Sequence, residues 1–248
     1  MKSIAVSHDY ISKIVFSRLM KMIRVIIPAF NEEKSISKVI GDIPPHVTEI
    51  IVVDNNSTDH TNKVAADAGA TVLSEPESGY GNACLKGLSY LKTLDQQTDI
   101  VVFLDGDYSD YSEEIDKILA PIINDHIDFV IGARVKSKRE SGSMTFPQVF
   151  GNWLATSLMR VFFKSKFTDL GPFRAIKYEK LLNLKMEDKT YGWTVEMQLK
   201  ALRHSLSYTE VEVRYRNRIG QSKVSGTVKG AVMAGIKILG WIFKYTFK

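Results

Sequence analysis

From Ile23 onward the chain alternates short, continuous runs of valine and isoleucine with stretches of helical periodicity. IRVIIP precedes a helix expected from about Glu32, and EIIVVD precedes one from about Thr58. TVLSE, GNACLKGLSYLK, DIVVFLD, a helix over 113–123 and DFVIGA continue the series. Strands that are apolar at every position are buried on both faces, which a parallel sheet flanked by helices provides. The expected fold is therefore α/β, a mostly parallel Rossmann-like sheet covered by helices on both faces. Ligands of such sheets sit beyond the carboxyl ends of the strands, so the residues that follow each strand carry the most information.

Three of those strand ends are polar and acidic. The first strand runs into Pro28-Ala29-Phe30-Asn31-Glu32, the second into Asp54-Asn55-Asn56-Ser57-Thr58-Asp59, and the fourth into Asp105-Gly106-Asp107. The third strand leads through Gly79-Tyr80-Gly81-Asn82 to a helix N-terminus, where unpaired N–H groups favour a phosphate. There is no GxGxxG after the first strand and no GxxxxGK[ST], which argues against dinucleotide and P-loop sites.

Two carboxylates separated by a glycine at the end of a buried strand suit a hard divalent ion, Mg²⁺ or Mn²⁺. Such an ion would bridge phosphate oxygens and neutralise a departing nucleoside diphosphate. A solvated acidic turn is the plain alternative for Asp105 and Asp107. Asp54 and Asp59 are placed to accept hydrogen bonds from a base and a ribose, or else Ser57 and Thr58 simply cap a helix.

Past residue 135 the regularity breaks. Residues 136–145 form a basic, Gly- and Ser-containing segment expected to be mobile. Helices are expected over 147–163, 178–184 and 193–204, then a strand over SYTEVEVRYR, a basic turn and a terminal helix from about Thr227. The organisation expected is an N-terminal extension over 1–22, a catalytic domain over 23–226 and a C-terminal amphipathic helix over 227–248. In residues 1–22, Ile11, Ile14, Val15 and Leu19 form a short helical stripe, and Asp9, Lys13 and Arg18 interrupt any signal-like apolar core. No run of uncharged apolar residues is long enough to span a bilayer. The lone Cys84 fits a reducing compartment, so the expected localisation is cytoplasmic, with peripheral contact at the inner face of the membrane.

The order and wording of several motifs go further. IIPAFNE, VVDNNSTD, FLDGD, DLGPFRAI, YGWTVEMQ and YRNRIGQSKVSGT resemble the inverting family 2 glycosyltransferases, particularly the branch of dolichyl- and polyprenyl-phosphate sugar synthases. The resemblance covers about 24–227. It implies a GT-A fold, a nucleotide-diphospho-sugar donor and a divalent metal. Pro28, Phe30, Asn31, Glu32 and Asp54 would hold base and ribose, with Asp59 beside them and Gly81 and Asn82 in the turn lining the nucleotide pocket. Asp105 and Asp107, flanking Gly106, match the metal pair. Arg134, Arg174, Arg216, Arg218, Ser222 and Lys223 fall where that branch has phosphate-contacting or loop-anchoring residues. After the metal pair the branch usually turns through a proline, whereas this chain reads Tyr108-Ser109-Asp110-Tyr111-Ser112.

Charge bears on the acceptor. Residues 1–130 carry 11 Lys and Arg against 20 Asp and Glu, and residues 131–248 carry 22 against 8, giving −9 and +14. A hydroxyl acceptor needs a general base, whereas a phosphate is already anionic and needs cations to position it. Glu196 is the best base candidate if it faces the site, and an orienting residue if it pairs with a neighbour such as Arg174. With Asp107 and Arg134, which the resemblance implies, Glu196 completes the candidate catalytic residues.

In the terminal helix Lys229, Lys237, Lys244 and Lys248 gather on one arc, with Val232, Ile238, Leu239, Ile242 and Phe243 on the other side. That pattern suits a membrane interface, or packing on the chain's own domain or on a dimer partner. The expected activity is metal-dependent transfer of a sugar from a nucleotide donor to polyprenyl phosphate, with inversion. A family 2 enzyme acting on a hydroxyl of a glycan or small molecule, or a non-catalytic nucleotide-sugar binding protein, stands as an alternative. Nucleic acid fits the basic half but not the acidic strand ends. The oligomeric state, the sugar and the base are not legible.

Overall fold

The computed structural model describes residues 21–220 and 228–246. Among them seven strands form one sheet: β1 (Ile23–Ala29), β2 (Glu49–Asp54), β3 (Thr71–Ser74), β4 (Ile100–Phe103), β5 (Phe129–Ala133), β6 (Arg174–Lys177) and β7 (Tyr208–Glu212). Their spatial order is β3-β2-β1-β4-β6-β5-β7. All pairings are parallel except those of β6, which runs antiparallel to β4 and β5. The mostly parallel α/β fold expected from the sequence is the one observed.

The strand β6 was not anticipated. Arg174-Ala175-Ile176-Lys177 contains no apolar run, and the segment becomes a strand because β4 and β5 leave a gap between them that it fills. Alternation along the central strands divides the core in two. Ile26, Ile51 and Phe103 pack with Trp193 on one face, whereas Val25, Ile27, Val52 and Val102 pack with Ile36 and Ile118 on the other.

The helices are α1 (Ile36–Gly41), α2 (Thr61–Asp67), α3 (Tyr80–Leu91), α4 (Ile115–Asn124), α5 (Phe146–Phe163), α6 (Tyr178–Leu184), α7 (Trp193–Arg203) and α8 (Val228–Thr246). Helices α1 and α2 start later than the sequence suggested, because the loops before them bond to each other. Asn31 Oδ1 accepts the Thr58 N–H, the Glu32 N–H donates to Thr61 Oγ1 and the Glu33 N–H to Asp59.

The terminal helix divides its surface in a way periodicity did not disclose. Trp241 and Ile242 are buried in the core, and Lys237 and Lys244 pair with Asp188 and Glu187. Val232, Ile236 and Phe243 remain exposed. The helix therefore packs on its own domain through one side, lysines included, and turns a separate apolar strip outward. Among the described residues no helix is long and apolar enough to cross a membrane. Residues 1–20, Ser222, Lys223, the side chain of Lys229 and Lys248 lie outside the described residues. The folded unit reaches back to Met22, whose N–H donates to the Asp99 carboxylate and whose carbonyl accepts the Asp99 N–H.

Candidate active site

A cavity of about 520 Å³ opens at the carboxyl ends of β1, β2 and β4. Pro28, Phe30 and Glu32 line it from β1, Asn55 from β2, and Asp105, Gly106 and Asp107 from β4. Arg134 follows β5, Arg218 follows β7, and α5 and α8 close the far side with Gln148, Asn152, Gly235 and Ile238. Its size is that of an ordinary small-ligand site.

The two carboxylates of the Asp-Gly-Asp turn differ sharply. Both oxygens of Asp107 are engaged: Oδ1 accepts the Ser109 N–H at 2.9 Å and its hydroxyl at 2.5 Å, and Oδ2 meets Arg218 Nη1 at 2.6 Å. Asp105 Oδ1, by contrast, is shielded and has no hydrogen-bond partner. Burial, and then the charge of Asp107, raise the Asp105 carboxyl to about 7. A buried, unpartnered carboxylate oxygen beside a second carboxylate is a hard donor set that suits Mg²⁺ or Mn²⁺. Among the described residues no three acidic, histidine or cysteine side chains gather to hold an ion by themselves. Further ligands would have to come from the substrate.

Arg134 enters the cavity as a fixed cation. Its Nε and Nη2 donate to the two Asp169 oxygens at 2.9 and 2.6 Å, and its own N–H donates to the same carboxylate. Burial alone would raise the Asp169 carboxyl; the Arg134 charge and hydrogen bonds hold it below the usual carboxylate range. Asp169 was not singled out in the sequence, where it reads as one residue of a turn.

Other residues take unexpected places. Gly81 and Asn82 offer no free N–H groups to a phosphate, because the Gly81 N–H donates to the Thr190 carbonyl and the Asn82 N–H to the Lys189 carbonyl. The Gly79 N–H donates to Asn55 Oδ1. The glycines serve this packing: a Cβ at Gly79 would strike the Lys189 carbonyl and one at Gly81 the Asp188 carbonyl. Asn31, Asp54 and Asp59 are not among the described residues that line the cavity; Asp54 accepts the Ser57 N–H, and Asp59 accepts N–H groups of Glu33 and Thr61.

Two of the expected phosphate-binding arginines are committed elsewhere. Arg174 is fully buried and donates to the Leu170, Gly171 and Thr194 carbonyls. Burial lowers its pKa to about 10. Arg216 stacks on Tyr108 at 3.3 Å and on Tyr111 at 4.2 Å, and donates to the Tyr108 and Asp110 carbonyls. Arg218 alone of the three faces the cavity.

Glu196 does not line the cavity. It is fully buried, accepts the Glu187 and Asp188 N–H groups at 2.9 and 2.8 Å, and pairs with Lys200 at 2.6 Å. It orients the 187–188 loop rather than Arg174, and its oxygens are unavailable to an acceptor hydroxyl. The segment expected to be mobile is stapled instead: the Glu140 N–H donates to the Tyr215 carbonyl and the Asn217 N–H to the Glu140 carboxylate.

Sequence reasoning also missed Asp110. Both its oxygens are buried without partners, and burial, followed by the Asp105 charge, pushes its carboxyl well up. It lies in the segment that departs from the family pattern after Asp107, which was the one available signal.

The family model for Glycosyl transferase family 2 matches residues 24–184. An uncharacterized glycosyltransferase of Mycobacterium bovis is 34% identical over 215 residues, which cover 86% of this chain and 94% of that one. A UDP-N-acetylglucosamine–dolichyl-phosphate N-acetylglucosaminyltransferase of Methanococcus voltae is 32% identical over 151 residues, 53% of this chain and 59% of that protein. Among solved structures, glucosyl-3-phosphoglycerate synthase of Mycobacterium tuberculosis, in complex with Mn²⁺, UDP and glucosyl-3-phosphoglycerate, superposes with a TM-score of 0.74. The superposition spans 96% of this chain and 84% of that one at 21% identity.

Proposed function

The chain belongs to glycosyl transferase family 2, and on that footing we propose that it moves a sugar, with inversion, from a nucleotide-diphospho-sugar to a polyprenyl-type phosphate. The observation that carries the acceptor is the surface beside the cavity. On α5, at about 100° per residue, Phe146, Phe150 and Trp153 form one stripe, with Phe146 80% and Trp153 59% exposed. The adjoining side of α5, with Pro147, Gln148, Gly151 and Asn152, lines the cavity. Helix α8 repeats the arrangement, with Ala234, Gly235 and Ile238 inward and Val232, Ile236 and Phe243 outward.

Exposed apolar surface of this kind marks an interaction site, and aromatic residues favour the bilayer interface. Arg160, Lys164 and Lys166, all exposed at or near the end of α5, suit anionic headgroups. An isoprenoid lying along α5 and α8 would bring its phosphate into the cavity. The dolichyl-phosphate relative supports the same acceptor class.

When bound, Mg²⁺ or Mn²⁺ would neutralise the diphosphate leaving group. Asp105 and Asp107 are the residues that fit it. Pro28 and Phe30 wall the side expected to receive the nucleoside. Arg134, immobilised by Asp169, supplies a pre-positioned positive charge, which costs no reorganisation during transfer. Among the described residues the carboxylates in the cavity wall are Glu32, Asp105 and Asp107. With two committed to an ion, little general-base capacity remains for a hydroxyl acceptor, whereas a phosphate needs none.

Incubation with radiolabelled UDP- and GDP-sugars, Mn²⁺ and polyprenyl phosphate in vesicles tests the proposal. Labelled sugar is expected in the organic extract. Turnover confined to water-soluble hydroxyl acceptors would overturn the lipid assignment and leave the family assignment standing.

A further inference from the structure

The cation nearest the metal pair is supplied by the chain itself. Arg218 Nη1 stands 2.6 Å from Asp107 Oδ2, while Ser109 occupies Oδ1 through two hydrogen bonds. No oxygen of Asp107 is left without a partner. The backbone around the arginine is fastened to the same turn: the Ile219 N–H donates to the Asp107 carbonyl at 2.9 Å, and the Arg216 N–H to the Ser109 carbonyl at 2.9 Å. Release of Asp107 therefore requires only rotation of the Arg218 side chain, not movement of its backbone.

We propose that Arg218 holds Asp107 in the nucleotide-free protein as a stand-in for the divalent ion, and yields it only when ion and nucleoside diphosphate arrive together. An ion arriving alone would have to expel a guanidinium from a charge-assisted pair and would then sit close to it, with like charges in a partly desolvated cavity. A diphosphate alters both conditions. It brings oxygen ligands that the two carboxylates cannot provide, and an anion with the geometry guanidinium prefers. Arg218 then passes from Asp107 to a diphosphate oxygen. It is a positioning residue that makes ion binding conditional on the donor and prevents an idle ion from occupying the pair.

This inference rests on the metal and nucleotide donor of the preceding section. Its test is binding rather than turnover: free Mn²⁺ is followed by electron paramagnetic resonance in titrations of wild type, Arg218→Gln and Arg218→Lys, with and without UDP or GDP. In wild type, Mn²⁺ and the preferred nucleotide are expected to tighten one another by about tenfold or more, in the range of ordinary coupling between sites. Arg218→Gln should bind Mn²⁺ alone about tenfold more tightly, yet bind the nucleoside diphosphate in the presence of Mn²⁺ about tenfold more weakly. Arg218→Lys, which keeps the charge, should remain near wild type for Mn²⁺ alone.

Opposite signs for ion and nucleotide are what a merely structural arginine would not give. A folded Arg218→Gln, checked by circular dichroism, that binds Mn²⁺ alone no better than wild type overturns the proposal. If that variant does not fold, wild type decides by itself, because independent binding of Mn²⁺ and nucleotide overturns it equally. Failure of wild type to bind Mn²⁺ with any nucleotide present would sink the donor-site reading as well, and so separates the two failures.

Discussion

The Asp188 carboxylate accepts the Trp241 indole N–H at 2.5 Å, and through that contact the terminal helix is tied to the loop that caps α3. The same carboxylate accepts the Thr190 and Gly192 N–H groups and pairs with Lys237. The carbonyls of Lys189 and Thr190, one and two residues on, receive the Asn82 and Gly81 N–H groups. One buried acid therefore connects α8, the loop at the start of α7 and the turn at residues 79–82. Trp241→Phe keeps the ring and removes the donor. It is expected to cost about 1–3 kcal/mol, and to lower Tm by about 2–4 °C per kcal/mol, read in a thermal melt.

Gly81→Ala is expected to destabilise by about 2 kcal/mol or more, since its Cβ would strike the Asp188 backbone carbonyl, which cannot rotate away. Gly41, the last residue of α1, is exposed and has nothing within 4 Å of a built Cβ. Gly41→Ala should be neutral or stabilise by up to about 1 kcal/mol. Urea unfolding of both variants checks the contrast. Equal effects would mean that the 188–190 loop does not pack as described.

Asp169 keeps its carboxyl below the usual range, so its pairing with Arg134 stabilises the protein above the unfolded value of about 4 and is lost as pH falls through the depressed one. Wild-type Tm should therefore fall on acidification below about pH 4, and part of that slope should vanish in Asp169→Asn. At pH 7 the same variant leaves Arg134 buried without its counterion, at a cost of about 3–5 kcal/mol. If it folds, kcat should fall more than donor affinity, because the guanidinium has lost its orientation.

Glu196→Gln is expected to act on stability rather than chemistry. Glutamine keeps one acceptor oxygen for the two amides of Glu187 and Asp188 and offers no charge to Lys200. Tm should drop, while the shape of the pH–rate profile stays that of wild type. Loss of the basic limb of that profile in a stably folded variant would restore Glu196 as a general base.

Phe150→Asp and Trp153→Asp change side chains that are 49% and 59% exposed, so folding and donor binding should persist. Sedimentation with anionic vesicles should decrease. Activity on a lipid phosphate in vesicles should fall with it, while activity on a short-chain, detergent-dispersed analogue stays closer to wild type.

Much of the frame was legible because burial on both faces forces strands to be apolar throughout. Ile23–Ala29, Glu49–Asp54, Ile100–Phe103 and Phe129–Ala133 announce themselves in that way, and their chain order places Asn31, Asp54 and Asp105 at one edge. The strand Arg174–Lys177 did not, since its conformation comes from neighbours far away in sequence. Gly79 and Tyr80 line the cavity, as expected of the turn at residues 79–82, but the use of its N–H groups was not legible for a related reason. The glycine spacing suits a phosphate turn equally well, and only the approach of the Lys189 and Thr190 carbonyls distinguishes the two uses.

The sequence by itself determined the parallel strands of the sheet, the family and the acidic strand ends, because these follow from local pattern and residue order. Which charges face the cavity was decided by the tertiary structure. Arg174, Arg216 and Arg218 are alike in sequence, yet one spans three carbonyls, one lies across two tyrosine rings and one rests on Asp107. The guanidinium groups are chemically the same. Their functions differ because electrostatic and hydrogen-bond energies fall off within a few ångströms, and only the folded chain sets those distances.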